Sequence, residues 1–153
     1  MFDAFGNSIA ILLELGDASF RENQIMYAEE LRKSLKLQLL PAFWKPIFQN
    51  DEDWKLLELN CKYEFRNYPY EFHNGGTWQM VNGFYGMAIS EKLPDALEEI
   101  IAAIEMLNVK EEYGFYENFN TKKGTPNGVK LCTWSAAGQV LATQYSKGKR
   151  LLI

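Results

Sequence analysis

The stretch from Tyr70 to Trp78, YEFHNGGTW, sets the one histidine of the chain between aromatic side chains and a Gly-Gly pair. Paired glycines allow a tight turn with φ above zero and let a ligand approach the main chain closely. His73 and Asn74 carry hydrogen-bond donors and acceptors, and Trp78 presents a flat apolar face. A sugar, with hydroxyls at its edge and C–H groups on its faces, matches that set. The same residues equally suit a Gly-rich turn ahead of a helix, with His73 on a backbone carbonyl and Trp78 in the core. The second candidate is Glu117, within the run FYENFN. Aromatic neighbours can hold a carboxylate away from bulk water and raise its basicity, as a general base activating a water requires. An exposed loop glutamate is the plainer alternative.

The elements that must position these residues read as helices. The run NSIAILLELG predicts a short core helix starting near Asn7 or Ser8 and ending at Gly16. From Ser19 to about Leu40, apolar residues at Phe20, Ile25, Tyr27, Ala28, Leu31, Leu35 and Leu39 follow helical spacing. Ser19 and Glu22 there form a capping box, and Pro41 ends the run. A proline-bearing loop leads to a short helix over DEDWKLLELN. Helical spacing resumes after the HNGG loop, with Thr77 as cap, and again from Pro94 through LPDALEEIIAAIEMLNV. A long Gly/Asn/aromatic loop holding Glu117 then precedes a last helix from about Ser135. No strand alternation stands out, so the expected class is all-α in one domain over residues 1–153, with short extended pieces in the loops.

Bulk composition narrows the partners. The chain has 153 residues, 47% hydrophobic and 24% charged, as a globular domain with a real core requires. Its aromatic fraction of 14% fits either a packed core or a groove where rings stack. Net charge is −4, without an extended basic cluster, which argues against nucleic acid. The apolar N-terminal run is too short to span a bilayer and is wrongly flanked for a signal peptide, so no membrane partner is expected. Cys61 and Cys132 are widely separated, which suits free thiols in a cytoplasmic protein. With one histidine and two separated cysteines, neither a metal nor an organic cofactor is expected.

Taken together, YEFHNGGTW, FYENFN and TWSAAG resemble the C-terminal part of glycosidases built as an (α/α)6 toroid. The nearest likenesses are the neutral/alkaline invertases, the amylo-1,6-glucosidase-like proteins and the processing-glucosidase clan. The invertase pattern runs Tyr-His-Asn-Gly-Gly-x-Trp, then Pro-Glu-Tyr-Tyr-Asp, then Thr-Trp-Ser. Here Phe72 replaces the tyrosine, whereas His73, Asn74, Gly75, Gly76 and Trp78 match, as do Thr133, Trp134 and Ser135. Residues 116–120, YENFN, stand at the second motif, and DAFGNSIAILLELG resembles the Gly-Asn helix found upstream of these loops.

The resemblance implies a partial (α/α)6 toroid of helical hairpins with long aromatic, Gly-rich loops. It also implies an inverting hydrolase of a sucrose-like or α-glucosidic sugar, with two carboxylates about 6.5–9.5 Å apart. Glu117 takes the general-base position, and His73, Asn74, Gly75, Trp78 and Trp134 take the sugar-binding ones. The general acid comes from an Asp on an earlier hairpin in these families. No motif of this chain matches it, since Asp3, Asp17, Asp51, Asp53 and Asp95 lie in other contexts. The expectation is therefore a portion of such an enzyme, inactive alone for want of the acid, or a non-catalytic sugar-binding or assembly module. Half a toroid leaves apolar edges bare, so self-association, or docking to the rest of the same enzyme, is expected.

Overall fold

A computed structural model describes residues 1–60 and 63–151. Cys61 lies outside the described residues, and Cys132 is a buried free thiol. The elements in order are β1 (Phe2–Asp3), α1 (Ala4–Leu12), α2 (Ala18–Ser34), β2 (Phe43–Trp44), α3 (Trp54–Leu59), α4 (Gln79–Ile89), α5 (Pro94–Lys110), β3 (Asn118–Phe119), β4 (Pro126–Asn127) and α6 (Thr133–Ser146). The fold is mostly α. Its only named strands among the described residues are two short antiparallel pairs, β1–β2 and β3–β4. No helix among the described residues is long and apolar enough to cross a membrane.

Helix α4 is the axis of the bundle, packed by α6, α1 and α5, and it buries residues on every side, as a central helix must. Two glycines set its approach to α6. A Cβ on Gly83 would lie 2.6 Å from the Cα of Gly138, and one on Gly138 would lie 2.7 Å from the Cα of Met80. The backbones meet there without side chains between them. Leu97, Ile100 and Ile104 of α5 complete the core against Tyr85 and Ile89 of α4. The neighbouring helix ends are locked by an amide chain: Gln79 Nε2 donates to Asn108 Oδ1 (2.7 Å), and Asn108 Nδ2 donates to Gln139 Oε1 (2.7 Å).

Several helix ends differ from the sequence expectation, each for a capping reason. Asp3, not Asn7 or Ser8, caps α1, because its Oδ1 accepts from Gly6 N at 2.9 Å. Asn7 and Ser8 sit inside the first turns and donate back to the carbonyls of Asp3 and Ala4. Asp17, not Ser19, caps α2, and Ser19 Oγ donates to the Asp17 carboxylate. A carboxylate ahead of the helix meets the free N–H groups and competes well with a hydroxyl two residues on.

Helix α2 stops at Ser34 rather than near Leu40, and Leu35 is extended. The cause is long-range. Asn82 of α4 grips the peptide of Leu40, accepting from its N–H at 2.7 Å and donating to its carbonyl at 2.8 Å, and Leu39 and Leu40 are fully buried. A continued helix could not deliver both leucines to that position. Thr77 does not cap α4 either. Trp78 occupies the cap position without a side-chain bond, and Thr77 is turned inward to Thr121.

Candidate functional site

The loop from Tyr70 to Trp78 folds back on itself. Tyr70 N donates to the Asn74 carbonyl (2.8 Å), Gly76 N to that of Phe72 (2.9 Å), and the Trp78 indole N–H also to that of Phe72 (3.0 Å). Gly75 has φ +91° and lies against Pro46, where a Cβ would come within 2.7 Å of the ring. A Cβ on Gly76 would lie 2.5 Å from Phe72 N. The glycine pair is therefore required by the turn itself. Tyr70 (φ 71°) and Phe72 (φ 42°) are left-handed without being glycine, a strained conformation held only where surroundings enforce it.

The chain from Phe115 to Cys132 forms an irregular hairpin that ends at α6. Cys132 N donates to Phe115 O at 2.9 Å and Glu117 N donates to Val129 O at 2.9 Å, with β3–β4 further out. Glu117 Oε2 accepts from Val129 N at 3.2 Å. Gly128 (φ +76°) faces this carboxylate so closely that a Cβ there would lie 2.7 Å from the Glu117 Cβ. Ser135 Oγ donates to Tyr116 O at 2.9 Å, tying the hairpin to the start of α6.

The two loops are joined directly. Thr77 and Phe119 exchange backbone hydrogen bonds of 2.9 and 2.8 Å, and Phe72 N donates to Asn118 Oδ1 at 3.1 Å. Asn120 Nδ2 donates to Glu71 Oε1 at 3.0 Å, and the Thr121 hydroxyl donates to Gly75 O at 2.5 Å. On the other side of the HNGG loop, Ala42 N donates to Gly76 O at 2.8 Å, and β2 pairs Phe43 with Asp3. A strip of extended backbone thus crosses one end of the bundle, from β1 through residues 41–44 and Thr77 to Phe119.

Along this strip lies a cavity of about 330 Å³ lined by Asp3, Phe5, Ala42, Phe43, His73, Trp78, Met80, Val81, Glu117 and Trp134. Its aromatic wall is continuous. The rings of Phe43 and His73 are 6.3 Å apart, His73 stacks on Trp78 at 5.0 Å and 22°, and Trp78 lies 6.4 Å from Trp134. Trp78 is nearly buried at 5% exposure, whereas Trp134 is 51% exposed. Flat apolar faces beside a few polar groups suit a ring with C–H faces and hydroxyl edges. A larger cavity of about 760 Å³ lies between α2 and the start of α5, but it is lined by carboxylates, lysines and aliphatic groups without an aromatic face.

Four of the residues singled out in the sequence therefore meet at one cavity: His73, Trp78, Glu117 and Trp134. Asn74 and Gly75 are not among its lining residues. Asn74 is buried with its amide committed elsewhere, accepting from Ile47 N (2.7 Å) and donating to Ile47 O (2.8 Å) and Asn67 O (2.9 Å). Asp3, Phe5 and Phe43 were not singled out as site residues. Their local sequence shows only a helix start and a loop; Asp3 and Phe43 meet through strand pairing across about forty residues of chain, and Phe5 follows on the first turn of α1.

A family model described as alkaline and neutral invertase matches residues 1–148. Among curated proteins none matches the chain.

Proposed function

From the premise that this chain belongs to the alkaline and neutral invertase family of glycoside hydrolases, we propose that its aromatic cavity is a sugar site serving hydrolysis of a sucrose-like or α-glucosidic bond with inversion. Glu117 is the general base. Its Oε2 is held by Val129 N and Oε1 is left to take a proton from the attacking water. Trp78, His73 and Trp134 stack against the sugar, and Asn74 and Gly75 act by holding the loop that carries His73. The observation that supports this reading is the convergence of Glu117, His73, Trp78 and Trp134 on one cavity through the Thr77–Phe119 bridge.

Inverting hydrolysis also needs an acid about 6.5–9.5 Å from the base. The Asp-bearing motif that supplies it in similar enzymes has no match in this sequence, which favours a second reading: a sugar-binding module that does not turn over alone. The expected partners are a small sugar or oligosaccharide and a second protein surface, from another copy or from the remainder of such an enzyme. Exposed apolar side chains such as Leu13, Leu15, Met106 and Val140 support the latter.

The test is hydrolysis of sucrose and glucosyl oligosaccharides by the purified chain and by Glu117→Gln, with sugar binding measured alongside. The expected result is binding by both proteins, with any hydrolysis confined to the wild type. Hydrolysis that survives Glu117→Gln removes Glu117 as base, and binding without turnover in either protein selects the module.

A further inference from the structure

We infer that Asp3 reads a sugar hydroxyl in the cavity it shares with Glu117. This inference rests on the sugar-site reading and adds a specificity-determining residue to it.

Asp3 lines the same cavity as Glu117, and a series of ring contacts forms the wall between the segments that carry them. Asp3 is paired with Phe43 by strand register. From Phe43 the ring contacts run through His73 and Trp78 to Trp134. The next residue, Ser135, has its hydroxyl 3.4 Å from the carbonyl of Glu117. The two acids thus reach one aromatic-walled cavity from different segments, Asp3 from the strand pair with Phe43 and Glu117 from the hairpin tied to α6. A ring stacked on that wall with its scissile bond toward Glu117 has further hydroxyls to offer Asp3.

The carboxylate of Asp3 is also held in place. Oδ1 accepts from Gly6 N at 2.9 Å, and a Cβ on Gly6 would fall 2.6 Å from Oδ2. Glycine within a helix is less favourable than alanine. Here it makes room for the acid. A carboxylate whose one oxygen is anchored by a backbone N–H retains acceptor capacity for a neighbouring O–H, and hydrogen bonds to a charged acceptor are the stronger kind.

The experiment measures dissociation constants of D-glucose and its monodeoxy analogues by NMR titration for the wild type, Asp3→Asn and Gly6→Ala. Asparagine is as good a helix cap as aspartate, so Asp3→Asn leaves the fold in place, which a melting curve checks. The expected result is glucose affinity lowered roughly tenfold or more in Asp3→Asn. One deoxy analogue should bind the wild type equally weakly and lose nothing further in the variant. Gly6→Ala should displace the Asp3 carboxylate and weaken glucose in the same way. Unchanged affinities in Asp3→Asn overturn the inference and leave the sugar site standing. Uniform weakening of every analogue also overturns it, because that is the mark of a reshaped pocket. Failure of the wild type to bind any sugar overturns both this inference and the reading beneath it.

Discussion

Trp78 and Trp134 line the same cavity but carry different structural loads. Trp78 is buried in the core cluster and its indole N–H holds the Phe72 carbonyl, so Trp78→Ala is expected to cost about 3–5 kcal/mol of stability. Trp134 is half exposed on the first turn of α6. Trp134→Ala should leave the melting temperature nearly unchanged while weakening sugar binding by about 0.5–1.5 kcal/mol, as loss of one aromatic face implies. Thermal melts and sugar titrations on the two variants separate these effects, and equal loss of stability in both would contradict the assignment. Gly128 offers a sharper probe of Glu117. At φ +76° and in contact with the Glu117 side chain, Gly128→Ala must both strain the turn and displace the carboxylate. On the hydrolase reading, the expected outcome is a drop in the hydrolytic rate larger than the drop in sugar affinity.

At the scale of elements, charge and close packing decide which helices stay together. Arg32 of α2 is fully buried and ion-pairs with Glu29 (2.7 Å) and with Glu99 of α5 (2.7 Å), and the Tyr85 hydroxyl of α4 donates to Glu29 at 3.0 Å. Burial first, and then the charge of Glu29, pushes the Tyr85 phenol well above its usual range, so it remains a donor. Arg32→Met should cost about 3 kcal/mol in denaturant unfolding because it removes the buried guanidinium from Glu29, which keeps only the Tyr85 hydroxyl and Lys33 at 3.7 Å.

Two other carboxylates contribute to the acid limb. The hydrogen bond from Arg32 lowers the pKa of Glu99, and the Phe20 backbone N–H lowers that of Asp17. Their folded-state pKa values lie below the unfolded ones. Their contribution is therefore complete above the ordinary carboxylate range and is lost as pH falls through it. Unfolding monitored against pH should show a shallower acid loss in Asp17→Asn and Glu99→Gln than in the wild type. Both effects will be small, because Asp17 is exposed and the Glu99 side chain is half exposed, so solvent screens each.

At the scale of the whole molecule, the exposed apolar side chains bear on assembly. Leu13 and Leu15 follow α1, Met106 and Val109 project from α5, and Val140 from α6. Our proposal that such faces are covered predicts a dimer in sedimentation equilibrium at micromolar concentration. A monomer across the whole concentration range would exclude self-association.

Much of the element list was legible in the sequence. Pro94 at the first turn of α5, the three-residue spacing of Ile25, Ala28 and Leu31, and the aromatic Gly/Asn loops all mark their segments locally. The helix ends were less legible. Asp3 and Asp17 competed with nearby hydroxyls for the cap positions, and Asn82 pulled Leu39 and Leu40 out of a helix that their spacing favoured. Residue types and spacings along the chain thus determined the helical class, the chemistry-bearing side chains and the family resemblance, because these depend on local propensity and motif order. Only the tertiary structure decided that Asn74 spends its amide on Ile47 and Asn67, and that Asp3 and Phe43 line one cavity with His73, Trp78 and Glu117. Those outcomes rest on hydrogen bonds and packing between segments far apart in sequence, such as the Thr77–Phe119 bridge, and no local pattern encodes such partners.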